Sequence, residues 1–268
     1  MAKYPRAAIL CVGIGRYQSP QLKALSLPPA DAIAVAQALL PLSNQSLLQL
    51  LVNEQATKAR IQAGLGWLAN NVAADDLAVF YYSGHGARYE DQDNDEADNY
   101  DEFLCPYDTG VGGGVSTFIR DDEMREWLQA ITAKTRQVVV LLDSCHSGDA
   151  VRLDYAVSKE LPPDKVQAIL KDYQRPRKPA GMVTGEAPLA GHLLLAAAEA
   201  HQLSYEILGM KNSLFTAYML EGLADAAVTT FGQLFKVIQG KVKLDADGWE
   251  VQQTPHLIPR AEGDLAYR

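Results

Sequence analysis

Residues 138–148 read VVVLLDSCHSG. Five apolar residues, three of them β-branched, are followed at once by an acid, a serine, a cysteine, a histidine and a Ser-Gly turn. A continuous apolar run of this kind marks a strand buried on both faces, as in the middle of a parallel sheet. Residues 77–86, LAVFYYSGHG, have the same form: an apolar strand, then Ser83-Gly84-His85-Gly86. In open α/β sheets the chemistry collects at the carboxyl ends of the strands. Two such strands lying side by side bring His85 next to Cys145. A thiol nucleophile needs a nearby base to manage its proton, and the flanking glycines let a substrate backbone come close. The N–H groups of Gly86 and Cys145 are then placed to hold an oxyanion.

Working outward, Ala7–Val12 (AAILCV) reads as a further buried strand, and Ala30–Leu40 as a helix that Asp31 caps near its N-terminus. Leu47–Val52 and Leu193–Ala198 read as strands, with His256–Ile258 a short last one. Lys58–Val72, Asp121–Ile131, Ser213–Leu223 and Phe231–Val242 read as helices. Strand–helix alternation along the whole length predicts an α/β protein, a three-layer α/β/α architecture around a mostly parallel sheet of about six strands. Two segments interrupt it. Residues 90–102 (EDQDNDEADNYDE) hold eight acids and no base. Residues 152–188 are proline-rich and carry the basic stretch YQRPRKPAGM, and they read as an exposed linker. One domain of 268 residues results, divided into a larger part (1–155), a linker (156–188) and a smaller part (189–268).

Hydrophobic residues make up 48% of the chain, which excludes a disordered class. No apolar run approaches the roughly 20 residues of a membrane helix, and the N-terminus lacks the pattern of a signal peptide. The net charge of −9 weighs against nucleic acid or an anionic membrane as partner, although almost all of it sits in the acidic stretch. Three widely spaced cysteines without a CxxC suit a reducing compartment, and a cytoplasmic protein is expected. So little chain precedes the first strand that no recruitment segment is expected within it.

Most of these reactive residue types have ordinary readings. Cys11 and Cys105 read as small buried apolar residues, and His192, His201 and His256 as structural histidines. His146 adjoins Cys145 in sequence, but the strand geometry favours His85 as the base. The pair ending two strong strands inside small-residue turns resists such a reading. YYSGHG followed by VVVLLDSCHSG resembles the caspase-like cysteine peptidases, and most of all the metacaspases and their prokaryotic relatives, the orthocaspases. AILCVGIGRY, DEFLCPYD, IRDDEM, LLLAAAEAHQLSYE and SLFTAYMLEGL extend the resemblance over nearly the whole chain in order.

The resemblance implies a caspase-like fold and an endopeptidase acting on proteins or peptides after arginine or lysine, with Cys145 as nucleophile and His85 as its base. It implies that Asp143 and Asp31 receive the cationic side chain at the base of the S1 pocket; a carboxylate pair suits such a ligand. It implies processing in the linker, for which Arg177 is the expected bond because Arg175 and Lys178 each precede a proline. No cofactor is needed for the chemistry. Calcium is an implied activator, held by Asp101, Asp121 and Asp122 with Asp154 as a fourth acid. Asp91, Asp93, Asp95 and Glu102 have the spacing of an EF-hand loop, but Glu96 replaces the required glycine and a strand precedes the loop, so this is no EF-hand. A monomer is expected. The rival readings are a catalytically silent caspase-fold scaffold and a calcium-binding signalling module.

Overall fold

The structure, a computed structural model, describes residues 3–90, 100–145, 155–170, 191–199, 202–259 and 263–268. In chain order its elements are β1 (Ala7–Gly13), α1 (Pro28–Leu39), β2 (Ser46–Val52), α2 (Lys58–Asn70), β3 (Leu77–Ser83), β4 (Gly86–Glu90), β5 (Tyr100–Leu104) and β6 (Ile119–Arg120). There follow α3 (Asp121–Thr132), β7 (Gln137–Asp143), β8 (Ala156–Ser158), α4 (Pro163–Leu170), β9 (His192–Ala196), β10 (Tyr205–Ile207), α5 (Leu214–Ala224), α6 (Phe231–Gly248) and β11 (His256–Ile258).

The main sheet runs β11-β9-β7-β3-β1-β2, parallel throughout except for β11 at one edge. β1 and β3 are buried at every residue, as their unbroken apolar runs require. Ile9, Val79, Tyr81, Val139 and Leu141 pack one face of the sheet against α1, α5 and α6. Leu10, Phe80, Tyr82 and Val140 pack the other against α2 and α3. This is the expected three-layer α/β/α fold with six mostly parallel strands. Among the described residues no helix is long and apolar enough to cross a membrane.

Register is what positions the site. Gly13, Ser83 and Asp143 lie side by side on β1, β3 and β7. His85 and Cys145 each follow two residues beyond their strand's last residue, so equal offsets carry them past the same end of the sheet. α1 sits hard against this end: a Cβ on Gly13 would lie 2.2 Å from the Pro28 carbonyl oxygen and 2.7 Å from the Ala32 Cβ. Only glycine there lets the first turn of α1, and Asp31 with it, reach the strand ends.

Three expectations change. The acidic stretch is narrower as a loop, because β4, β5 and β6 form a small antiparallel sheet that includes Tyr100–Leu104. α1 starts at Pro28, its N-cap Leu27 has no side-chain cap, and Asp31 turns into the protein instead of capping the helix. The linker is no exposed tether over its first half. β8 pairs with β10, and α4 buries Val166, Ile169 and Leu170 against Phe103 and Phe118. The apolar side chains Leu161, Val166, Ile169 and Leu170 supply a buried face that its prolines and charges obscured.

Candidate active site

His85 is 1% exposed and its position is fixed from several sides. Its N–H donates to the Tyr17 hydroxyl (2.7 Å), its carbonyl accepts from Cys105 N–H (3.1 Å), and the Tyr82 hydroxyl lies 2.9 Å from that carbonyl. The ring packs against Tyr17 with centroids 5.0 Å apart. Nε2 donates to the Lys23 carbonyl oxygen at 2.7 Å. A carbonyl only accepts, so Nε2 carries the proton and the neutral ring presents Nδ1 as an acceptor. Nδ1 is buried with no hydrogen-bond partner among the described residues. Burial lowers the imidazole pKa to about 4. A backbone carbonyl thus does the orienting that a carboxylate does in other base–nucleophile pairs.

Cys145 is fully buried. Its thiol donates to the Ser204 carbonyl (3.1 Å) and its sulfur accepts from Ser204 N–H (2.6 Å). Burial pushes the thiol well above its ordinary range. Here the sulfur is protonated and clamped to main chain, and the imidazole is neutral.

The ends of β3 and β7 close over a buried polar pocket with Asp31. Asp143 Oδ1 accepts from Ser204 Oγ (2.8 Å), and its Oδ2 accepts from Thr216 Oγ1 (2.7 Å) and from Ser213 Oγ. Asp31 Oδ1 accepts from Asn212 Nδ2 (2.9 Å) and Ser213 N–H (3.1 Å), and its Oδ2 from Ser83 Oγ (3.1 Å). Both acids are 0% exposed. Their shared ligand is the side chain of Lys159. Its Nζ stands 2.9 Å from Asp143 Oδ1, 2.9 Å from Ser83 Oγ and 3.4 Å from Asp31 Oδ2, itself without exposure. Burial alone lowers an ammonium pKa, but Asp143 and Asp31 outweigh it and hold Lys159 above its ordinary value. Two carboxylates share one cation, so Asp31 is left with a raised pKa, through burial and then the negative Asp143 against the opposing lysine.

Strand-end reasoning brought His85, Gly86 and Cys145 to one end of the sheet, the family resemblance added Asp143 and Asp31, and the structure gathers all five there. It missed Lys159, Ser83, Ser204, Ser213, Thr216 and the Lys23 carbonyl. Ser83 carried a signal, since it precedes His85 by the same two positions by which Asp143 precedes Cys145. Lys159 carried none, because a lone lysine in a polar stretch ordinarily sits in water.

The acids expected for calcium lie elsewhere. Asp101 on β5 is buried; Asp121 and Asp122 open α3, where Arg125 pairs with both, at 3.3 and 2.6 Å. Among the described residues Asp121 Oδ1 is buried without a hydrogen-bond partner. Their oxygens are the hard donors calcium takes, yet no three His, Cys, Asp or Glu side chains among the described residues are gathered to hold a metal ion. The described acids do not by themselves make such a site. Asp154, Arg177 and the EF-hand-spaced Asp91, Asp93 and Asp95 lie outside the described residues.

Comparison with known proteins places this geometry. Residues 10–154 match the family model described as metacaspase, peptidase C14 domain. Metacaspase-1A of Aspergillus terreus is 38% identical over 118 residues, which are 44% of this chain and 27% of that protein. Metacaspase-1 of Pyricularia oryzae is 40% identical over 105 residues, 39% of this chain and 25% of that one. The matches thus span about a quarter of the length of these curated relatives. A crystal structure of a Geobacter sulfurreducens protein superposes with a TM-score of 0.68 at 22% identity, covering 94% of this chain and 92% of that one. Caspase-1 from Spodoptera frugiperda superposes with a TM-score of 0.61 at 15% identity, covering 99% and 90%, a likeness of fold. With the family model matched over more than half its length, the chain belongs to the metacaspases, a family of caspase-like cysteine peptidases.

Proposed function

We propose that the protein is a cysteine endopeptidase that cleaves proteins after lysine or arginine. The observation that carries this reading is the Lys159 ammonium, fully buried on Asp143 and Ser83 with Asp31 beside them. A pocket built to take an aspartate side chain needs a cationic floor; this floor is two carboxylates already held by hydroxyl, amide and N–H donors. Fixed donors of this kind hold the acids aimed at an incoming cation.

In the proposed mechanism Cys145 leaves its Ser204 clamp and passes its proton to His85 Nδ1, whose tautomer the Lys23 carbonyl fixes. The thiolate sulfur attacks the carbonyl carbon that follows the basic side chain. Gly86 N–H, with the N–H of Cys145, holds the oxygen as it becomes negative. His85 then delivers the proton to the leaving amine, and water hydrolyses the thioester. The test is hydrolysis of fluorogenic peptides with P1 Lys, Arg or Asp by the wild type and Cys145→Ala. Cleavage after Lys or Arg that vanishes in the variant supports the reading. Cleavage after Asp contradicts the assigned pocket, and folded protein silent in every arm favours the scaffold reading, with Lys159 a permanent plug.

Calcium activation and a monomeric state belong to the same reading. The first rests on the family resemblance and on the buried oxygen of Asp121 that has no partner among the described residues; an activity curve flat from chelator to millimolar calcium contradicts it. The second is read from sedimentation, where a dimer contradicts it.

A further inference from the structure

His85 owes its orientation largely to one connection, the stretch that leaves β1 after Gly13 and enters α1 at Pro28. Within it Tyr17 receives the His85 N–H and stacks on the ring, and Lys23 supplies the carbonyl that fixes the tautomer. The connection closes on itself, since Leu25 N–H donates to the Gly15 carbonyl at 2.8 Å. The approach is so tight that a Cβ on Gly15 would stand 2.5 Å from the Leu25 carbonyl oxygen. Residues 15–25 thus form a compact loop whose ends touch, laid across the imidazole. Leu22 pins its middle, buried in a cluster with Phe103 and Cys105.

The first end of the loop is held by a residue outside it. Asn53 follows the last residue of β2 and opens a single 3-10 turn, Asn53–Gln55. Its Oδ1 accepts from Gly15 N–H at 3.0 Å and from Arg16 N–H at 3.1 Å, 38 and 37 residues away in sequence. Two N–H donors need an acceptor, so the oxygen of the amide and not its nitrogen faces the loop. The Asn53 backbone stands at φ 48°, in the left-handed region that asparagine enters more readily than most side chains. The same turn reaches the other wall around His85. Ala56 N–H donates to the Asn53 carbonyl (2.8 Å), and the Ala56 carbonyl accepts from Tyr107 N–H (2.9 Å). The Tyr107 carbonyl accepts from Gln18 N–H (2.9 Å), and two residues before Tyr107 the Cys105 N–H holds the His85 carbonyl.

The second end of the loop has an anchor of its own. Glu206 on β10 accepts from Ser26 N–H and Leu27 N–H, each at 2.9 Å, where the chain enters α1. A carboxylate at a helix N-terminus steadies that end, so Glu206 secures the start of α1 and Asp31 with it. The two anchors therefore divide the labour: Glu206 stands on the side of the pocket, Asn53 on the side of the base. We infer that Asn53 is a positioning residue for His85. Its side-chain oxygen, acting through Gly15 and Arg16, sets the loop whose Tyr17 and Lys23 orient the imidazole and select its tautomer. The inference rests on the endopeptidase reading for its kinetic consequence and on the geometry alone for its effect on the ring.

The experiment compares the full-length wild type with Asn53→Gly and Asn53→Asp. It reads steady-state hydrolysis of a P1-Lys fluorogenic peptide and, in parallel, proton–nitrogen correlation spectra of the histidine rings, with His85→Gln to assign the signal. Glycine takes the left-handed backbone freely and loses only the oxygen, whereas aspartate keeps the oxygen and tolerates the backbone. The wild-type His85 ring is expected as the Nε2-protonated tautomer. Asn53→Gly is expected to lower kcat roughly 10^2-fold, the scale of a misplacement of about 1 Å, with KM within about twofold of the wild type. Its His85 signal becomes a mixture of tautomers. Asn53→Asp returns both readouts to the wild-type values. A merely structural need at this turn is met by glycine and moves neither kcat nor the tautomer. Wild-type kcat in Asn53→Gly, equal losses in the two variants, or a loss that falls on KM instead overturns the inference and leaves the endopeptidase reading standing. If every chain is silent on the peptide, the endopeptidase reading falls and the ring spectra decide the inference. A single Nε2 tautomer in Asn53→Gly then overturns it, and a mixture that aspartate reverses upholds it.

Discussion

Lys159 Nζ lies 2.9 Å from Asp143 Oδ1, with neither side chain exposed to solvent. Removing charges from water is costly, and a buried pair returns that cost only when both partners and their remaining hydrogen bonds are in place. Asp143 meets the condition through Ser204, Ser213 and Thr216, and Lys159 through Ser83 and Asp31.

The first prediction follows from breaking that pair. Asp143→Asn leaves a buried ammonium short of its main counter-charge, at a cost of about 3–5 kcal/mol. The uncut chain should melt roughly 10 °C lower. The same variant should lose at least about a hundredfold in kcat/KM for basic peptides, since the pocket has lost a carboxylate. An unchanged melting temperature contradicts the pairing.

A second prediction concerns the thiols. Cys11, Cys105 and Cys145 are all unpaired and fully buried, and burial raises each above its ordinary range. At pH 7.5 iodoacetamide should leave all three untouched in the uncut chain, because the thiolate is the reactive form. Peptide mapping reads the outcome, and rapid alkylation of Cys145 in the uncut chain contradicts the Ser204 clamp.

pH dependence of stability gives a third. Burial holds His85 and His192 each at about 4, below the ordinary 6.5. Between those values the unfolded chain binds protons that the folded chain does not, so stability rises with pH across the window and falls on acidification. By pH 5 the loss is roughly 2 kcal/mol per histidine. Urea unfolding at pH 7.5 and pH 5.0 should show it, with a smaller loss in His192→Gln; identical midpoints at the two pH values contradict it.

The fourth lies in the backbone. Gly13→Ala places a methyl 2.2 Å from the Pro28 carbonyl, a contact only a shift of α1 relieves. Overpacking of this kind costs about 3 kcal/mol. Because α1 carries Asp31, KM for basic peptides should rise while kcat is largely kept. Wild-type melting and KM together contradict the role given to this contact.

The central sheet was legible because β1, β3 and β7 are written as unbroken apolar runs, which only a doubly covered strand tolerates. The candidate dyad was legible for the same reason, since strand ends direct chemistry to one edge. β4, β5, β6, β8 and β10 were not, being short and partly charged, with pairings that close only in three dimensions. Asp31 was assigned to the pocket only through the family resemblance, and its local sequence pointed to a cap, because first-turn acids usually satisfy helix N–H groups. Its true partners, Asn212, Ser213 and Lys159, are far away in sequence. α4 was hidden by flanking prolines and charges, and Lys159 by the ordinary rule that lysines stay in water.

The most direct test of the account is covalent capture of the activated enzyme by peptidyl chloromethyl ketones ending in Lys, Arg or Asp, followed by peptide mapping. One adduct then reports nucleophile and pocket together. The account predicts an adduct on Cys145 with the Lys or Arg reagent, lost in Cys145→Ala and weakened in Asp143→Asn. Preferential capture by the Asp reagent, or an adduct on Cys11 or Cys105 in its place, contradicts it.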